Sequence, residues 1–421
     1  MISDLKSLIV SACYFIKLIF FPKKYDVVFV SSVFFNRGEA GQNLLLNPMI
    51  ECCKKNNLNF AIFEETDLKG EYKHFIRQNR SIPFDFISLA QIIFRKIYNL
   101  IYEAPLSINK EYERDIKISN ILRILFFKKF YSKVYITLIW NNVTLWRSVN
   151  PNACIVDYQH GIIFNGHSGY VKDGMPPKVK SANKVTTLVY SDLFKKLLIE
   201  SDNSIFYSEK NVIKVGFNKS AENFVQTLKH KKKILFTLQI TADDSGNGLR
   251  REFNEQYVKI VKKLIEDNAQ FLTLHNYEII FRHHPRYSAT QCPELQIEND
   301  FITFDSKTPI KDLFSVVDIH MTFNSTSSID AAISGIPTIF IDMHDPLSPI
   351  EIFINQYKYP LGNLVIKDYP DLKKLLVEFK DKDVYHSYCK SVHSWSSILY
   401  EDFDVSKFKN FLLEAINIDK K

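Results

Sequence analysis

The strongest constraint in this sequence is an alternation, made twice, between short β-branched apolar runs and longer helical stretches. Lys24–Ser32 is such a run, opened by a polar turn, and it reads as a strand covered on both faces. A loop with Asn36, Arg37, Gly38 and Gly41 follows, then a helical stretch over Leu44–Lys55 and a second strand at Leu58–Phe63. Further strand-like runs fall at Val134–Trp140, Ala153–Tyr158, Lys184–Tyr190 and Asn211–Gly216. After a polar stretch with a lysine-rich end, Phe217–Lys232, the alternation starts again. Its strands are Ile234–Ile240, Tyr277–Phe281, Asp318–Phe323 and Pro337–Ile341. Its helices are Asn254–Asp267, Pro309–Val316, Ser327–Ser334, Leu372–Glu378 and Phe408–Ala415. Strand, helix and strand in this order specify parallel sheets with helices on their faces. The expectation is an α/β protein of two Rossmann-like domains facing a cleft. A chain of 421 residues is long enough for two cores, and the expected division is 1–218 and 219–421, the last helices being free to cross back.

Two regions depart from that pattern. Ser7–Phe21 is apolar, but Lys17 interrupts it and it falls short of the roughly 20 residues a membrane span takes. No small-residue cleavage site follows it. It reads as a helix with two uses open to it. One is packing on the protein's own core. The other is lying on a membrane surface, with Lys6, Lys17, Lys23 and Lys24 at lipid phosphates and Leu8, Ile9, Phe15, Ile16, Ile19 and Phe20 beneath them. Ile92–Tyr102 and Ile121–Phe130 mix Phe and Tyr with Arg and Lys. They fit first two core helices with basic edges, the alternative being a face toward lipid headgroups or a lipid-linked acceptor.

Composition narrows the partners. Much of the surplus of 34 Phe has to be core, since Phe belongs inside. A net charge of +7 suits an anionic substrate or membrane face, and it is too diffuse for nucleic acid, for which no motif is present. The six cysteines are scattered without zinc-site spacing, as reduced thiols of a cytoplasmic protein would be.

Four segments carry chemistry. After the strand that ends at Phe323, Ser325, Thr326, Ser327 and Ser328 turn the chain into a helix, which Gly335 breaks before Pro337 opens the next strand. Hydroxyls and free backbone N–H groups at a helix start make an anion site. An N-cap favours the same residues, but four hydroxyls exceed what a cap needs. At the end of another strand stand Arg282, His283, His284, Pro285 and Arg286, placed to meet a diphosphate with charge-assisted hydrogen bonds. The glycine-rich loop Asp157–Tyr170 holds His160 beside Gly161, and His167 beyond. Such a loop at a strand end suits a base that activates an acceptor hydroxyl. With a pKa near neutrality His160 would take that proton, or else it holds its loop by hydrogen bonds. Asp157 would orient the imidazole or be the base itself. Gln159, His167 and Arg37 are the expected acceptor contacts. Leu238–Gly248 is the fourth segment, with Asp244 reaching toward the donor. Asp243 and Asp244 alone make a poor metal site, so metal-independent chemistry without a cofactor is expected.

Neither a dinucleotide-binding Gly-x-Gly-x-x-Gly nor a P-loop nor a Gly-x-Ser-x-Gly elbow is present, which counts against oxidoreductases, P-loop kinases and hydrolases of those types. The order Gln159-His160-Gly161, then His284-Pro285, then Ser325–Ser328 with Gly335 and Pro337, resembles the GT-B superfamily. Within it the chain is similar to bacterial surface-polysaccharide enzymes: capsule, sialic-acid and Kdo transferases, and the CDP-glycerol glycerophosphotransferases of teichoic-acid synthesis. The resemblance implies a base role for His160 and a donor-phosphate role for His284, Ser325, Ser327 and Ser328. Asp330 stands where UDP-sugar epimerases of similar layout carry a pair of glutamates, and no glutamate pair of the retaining type is present. An inverting glycosyltransferase is therefore expected, taking a nucleotide-sugar donor and a lipid-linked or oligosaccharide acceptor. A polyol phosphotransferase and a non-catalytic nucleotide-sugar scaffold are the alternatives. The expected location is cytoplasmic, peripheral on the membrane's inner face.

Overall fold

The ten short apolar runs, joined by three shorter strands, pair into two parallel sheets of seven and six strands. The first sheet contains β1 (Lys23–Ser32), β2 (Phe60–Glu65), β3 (Ile82–Pro83), β4 (Phe130–Leu138), β5 (Cys154–Tyr158), β6 (Thr186–Val189) and β7 (Val212–Lys214). Their order is β3-β2-β1-β4-β5-β6-β7. The second contains β8 (Lys233–Thr237), β9 (Glu278–Arg282), β10 (Ile302–Phe304), β11 (Ile319–Thr322), β12 (Thr338–Ile341) and β13 (Val365–Ile366), ordered β10-β9-β8-β11-β12-β13. Each order runs outward from its first strand and then reverses. In open α/β sheets ligands settle outside the C-terminal strand ends at that reversal, here beside β1 and β4 in one sheet and β8 and β11 in the other.

This computed structural model describes residues 2–35, 38, 41–65, 76–102, 108–139, 142–219, 232–241, 249–285, 287, 289–290, 292–343 and 348–417. The chain divides into two units, Met1–Asn218 with Tyr400–Lys421, and Lys219–Leu399. In the first, helices α1 (Ile2–Phe20), α2 (Asn47–Lys55), α3 (Asp85–Ile101), α4 (Ile108–Leu122), α5 (Val143–Val149), α6 (Lys178–Ala182) and α7 (Asp192–Ser201) accompany the strands. The aromatic surplus is largely here. Phe63, Phe84, Phe127, Phe130 and Tyr135 close around Trp146, with Tyr135 stacked on the indole at 4.9 Å. Helix α1 joins this core through Phe15 and Leu18, so two of its faces have different fates. Phe15, expected among the lipid-facing residues, is fully buried. The second expected basic-aromatic helix is also corrected. Helix α4 stops at Leu122, a π-turn spans Arg123–Phe127, and β4 opens at Phe130, because Phe127 and Phe130 both belong to the core.

In the second unit α8 (Leu249–Leu274), α9 (Ile310–Phe314), α10 (Ser327–Ile333), α11 (Asp371–Glu378) and α12 (Lys382–Leu399) accompany the strands. The chain then returns to the first unit with α13 (Val405–Asn417). That return runs past Gly216, whose φ is +86° and whose missing Cβ would lie 2.1 Å from the Asp402 carbonyl oxygen. Any side chain there is incompatible with the pairing of Phe217 and Asp402. Among the described residues no helix is long and apolar enough to cross a membrane.

Candidate functional site

In the first unit the chemistry gathers after β5. Asp157, the fourth residue of that strand, points into the protein and pairs with Lys180 of α6 at 2.6 Å, both side chains having no exposure. The Lys180 ammonium also lies 3.9 Å from the centre of the Tyr170 ring. Burial pushes the Lys180 pKa down and the Asp157 carboxylate pulls it back. This inward pairing corrects the expectation that Asp157 acts as the base itself. An ion pair sealed beneath a loop fixes its floor, and each partner is costly to leave alone.

His160 lies above that pair, half-buried, edge-on to Phe35 at 6.0 Å and parallel to Tyr170 at 6.5 Å. Burial lowers its pKa to about 4, Asp157 opposes the shift, and Lys180 and His167 add to it. The expected near-neutral pKa is therefore not met, and the ring is neutral at physiological pH. Beside it a Cβ built on Gly161 would touch nothing within 4 Å, so the space over the loop is open among the described residues.

The neighbours of His160 hold the loop in shape. Gln159 was expected at the acceptor, but it is fully buried. Its Nε2 donates to the Gly161 carbonyl at 2.7 Å and its Oε1 accepts the Tyr190 N–H at 2.9 Å. That commits the amide to bracing the backbone on which His160 rides. His167 is half-buried, and its Nδ1 accepts the Gly169 N–H at 3.0 Å, which places the proton of the neutral ring on Nε2. Glu65, at the end of β2, went unnoticed in the sequence. Burial pushes its carboxyl up to about 7 against the pull of Arg95, and the Asn142 amide donates to it.

In the second unit the reversal between β8 and β11 is tied by neutral groups. His320 of β11 is fully buried, with Nε2 3.0 Å from Thr237 Oγ1 of β8 and Nδ1 3.0 Å from Thr338 Oγ1 of β12. Burial takes its pKa to about 3. Two residues beyond the strand ends, Gln239 and Asn324 bond each other twice: the Asn324 N–H donates to Gln239 Oε1 at 2.8 Å, and Gln239 Nε2 donates to Asn324 Oδ1. Arg250 of α8 closes the same edge, donating to the Gln239 carbonyl and to Thr241 Oγ1, each at 2.8 Å.

The hydroxyl turn is built differently from its sequence reading. Ser327 Oγ faces inward, 3.0 Å from Thr237 Oγ1 and 3.3 Å from His320 Nε2, and Ser328 Oγ donates to the Ser325 carbonyl at 2.9 Å. Ser325 Oγ accepts the Ser327 N–H at 3.2 Å. Three of the four hydroxyls thus fold the turn, and Thr326 is the exposed one. At the end of β9, Arg282 Nη1 donates to the carbonyls of Asp305 at 3.3 Å and Thr308 at 2.5 Å. His283 stacks on Tyr287 at 3.9 Å, burial lowering its pKa, while His284 is half-buried in the turn. Arg37, Asp243, Asp244 and Arg286 lie outside the described residues. The residues the sequence reading missed, Lys180, His320 and Glu65, carry no local signal, since each matters through a partner distant in the chain. Gln239, by contrast, lies in the Leu238–Gly248 segment and was not singled out within it.

No family model matches the chain, and no curated protein is similar to it in sequence. Solved structures do resemble it. A glycosyltransferase, SnogD from Streptomyces nogalater, superposes with a TM-score of 0.50 at 10% identity over 93% of this chain and 99% of its own. A putative UDP-N-acetylglucosamine 2-epimerase from Listeria monocytogenes gives 0.52 at 11% identity over 95% and 97%. The UDP-GlcNAc 2-epimerase from Neisseria meningitidis bound to UDP-GlcNAc gives 0.50 at 11% over 94% and 99%. Likeness at such identity establishes architecture and nothing finer: this chain has the GT-B fold, two Rossmann-like units in one polypeptide.

Proposed function

We propose that the chain is a glycosyltransferase that moves a sugar, with inversion and without a metal, from a nucleotide-sugar donor to a growing surface glycan. The observation that carries the reading is His160: a neutral, half-buried imidazole at a strand end, beside the open space at Gly161 and over the sealed Asp157–Lys180 pair. In the reaction the acceptor oxygen attacks the anomeric carbon, and the bond from that carbon to the donor phosphate oxygen breaks. The acceptor proton passes to His160. An imidazole of such low basicity takes it late, once the attacking oxygen has given its electrons to carbon. In the second unit Arg282, His284 and Thr326 meet the charge of the leaving nucleotide, a task of fixed dipoles and cations. The lone Asp330 favours transfer over epimerisation, since the epimerases of this layout carry a glutamate pair there. A lipid carrier for the glycan would hold the acceptor at the cytoplasmic face of a membrane.

The test is a screen of CMP-, CDP-, UDP-, GDP- and dTDP-linked donors with crude lipid-linked acceptor, products being read by mass. The expected result is a gain of one sugar mass and release of the nucleotide. His160→Ala should lower turnover by roughly 10²–10⁴-fold while nucleotide binding persists. A product that gains phosphorus would instead identify a polyol phosphotransferase, and sugar isomerised without acceptor an epimerase. Unchanged turnover in His160→Ala would remove the base assignment.

A further inference from the structure

Helices α1 and α3 and the π-turn after α4 form one layer over the first sheet. Ser11 of α1 donates to the Pro83 carbonyl at 2.7 Å and accepts the Phe86 N–H, at the start of α3, at 3.1 Å. Phe15 of α1 meets Phe127 of the π-turn at 5.3 Å, and Lys129 Nζ reaches the Phe20 carbonyl at 3.0 Å. The inner side of this layer is aromatic core. Its outer side is also apolar. On α1 the residues Leu5, Ile9, Ile16 and Phe20 recur at helical spacing and all are exposed, Phe20 by 63%. Ile93, Ile97 and Leu100 do the same on α3, Leu100 by 83%, and Ile124 and Leu125 on the π-turn. Scattered exposed apolar residues need no explanation, but a stripe on three adjoining elements does.

Charge names the occupant. Over residues 2–25, 85–102 and 116–134, which make this layer and its edges, there are eleven lysines and arginines against two aspartates, Asp4 and the buried Asp85 that pairs with Arg77, in a chain whose totals are 54 and 47. Lys6 and Lys17, three turns apart on α1, border its stripe, and Lys96 and Lys128 take the same place on α3 and beyond the π-turn. A second copy of the chain on this face would bring lysines against lysines. We infer that this face docks on an anionic phospholipid bilayer, its apolar stripe among the acyl chains and its lysines at the phosphates. The helices lie on the surface, since none described is long and apolar enough to span.

The inference deepens the proposed function but is tested without it, because vesicles contain neither donor nor acceptor. A chain that fails to turn over can still dock, and an active transferase can fail to. The full chain is sedimented with phosphatidylcholine vesicles, with and without phosphatidylglycerol. Cys13, exposed on α1 while the other cysteines are buried or half-buried, takes an environment-sensitive fluorophore. Docking predicts sedimentation with anionic vesicles only, a blue shift of the fluorophore, and release as ionic strength rises. Ile16→Glu with Phe20→Glu should abolish it. Lys17→Glu with Lys128→Glu should weaken it roughly tenfold or more. All four positions are exposed, so an unchanged thermal unfolding midpoint checks that the variants fold. Equal sedimentation with neutral vesicles, no sedimentation, or wild-type behaviour of both variants overturns the inference. So does a dimer seen by light scattering that the same substitutions dissolve.

Discussion

The two sheets present their C-terminal ends in different chemical currencies. At the end of the first sheet the polar groups are ionisable and buried or half-buried: Asp157 with Lys180, His160 and His167 above them, and Glu65 at the end of β2. At the end of the second, the strands are tied by neutral hydrogen bonds, Thr237 to His320 to Thr338 and Gln239 to Asn324. A site that must move a proton needs groups that change charge. A site that must hold a charged ligand gains from dipoles already fixed, which do not reorganise when it arrives. The contrast is what the proposed reaction asks for, a proton moved in the first unit and a nucleotide held in the second, and it can be broken one unit at a time.

The largest effect should come from the first unit. Lys180→Met leaves the Asp157 carboxylate buried without its cation, and should cost about 3–5 kcal/mol in urea unfolding. Adding Asp157→Asn should return part of the loss, because two neutral groups replace one stranded charge. If the double variant is no more stable than Lys180→Met, the pair is not the sealed floor assigned to it. In the second unit, His320→Ala strands two threonine hydroxyls and opens a cavity between β8, β11 and β12, a cost of about 2–3 kcal/mol. His320 and His160 also set an acid limit. Their folded pKa values, about 3 and about 4, lie below the ordinary 6.5, so the unfolded chain binds protons that the folded one refuses. Their contribution is complete above pH 6.5 and is lost as pH falls toward 3–4. Unfolding of His320→Asn followed from pH 7 to pH 4 should show a shallower loss than wild type.

The fold was largely legible because strands covered on both faces must read as β-branched runs, as Val27–Val30 and Ile234–Phe236 do. The strands that escaped notice, β3, β10 and β13, are two or three residues long, too short to show any period. Helix α12 escaped for another reason. Its buried stripe, Tyr385, Cys389, Val392, Trp395 and Leu399, is at helical spacing, but Ser387, Ser391, Ser394, Ser396 and Ser397 lie between its members, and serine is a poor helix former that dilutes the signal. At the sites, glycine and histidine drew attention to the loop after β5, whereas nothing local marks Lys180 as buried. A lysine enters the interior only for a partner, and that partner lies 23 residues away. The serine turn was misread in the same way. Residue type identified hydroxyls, but their direction is set by His320 and Thr237 on neighbouring strands.

Glu65 sharpens the contrast with the smallest effect and the opposite sign. Gln91 Nε2 donates to Asn142 Oδ1 at 2.7 Å, which turns the Asn142 amide nitrogen toward the Glu65 carboxyl. That donated N–H favours the ionised form, as Arg95 does, but burial outweighs them and holds the group up to about 7 from an ordinary 4.5. Between these values the folded chain keeps a proton that the unfolded chain has lost. Stability from this group is therefore complete below pH 4.5 and declines as pH rises to about 7, against the trend of the two histidines. Glu65→Gln removes the ionisation without removing the hydrogen-bond acceptor. Relative to wild type it should gain about 2 kcal/mol in unfolding free energy between pH 5 and pH 8, less than the full shift because part of the wild-type loss has already occurred by pH 5. A difference that stays constant across that interval would mean Glu65 is ionised throughout. The first sheet would then hold one proton-exchanging group fewer, and His160 would carry the contrast between the units alone.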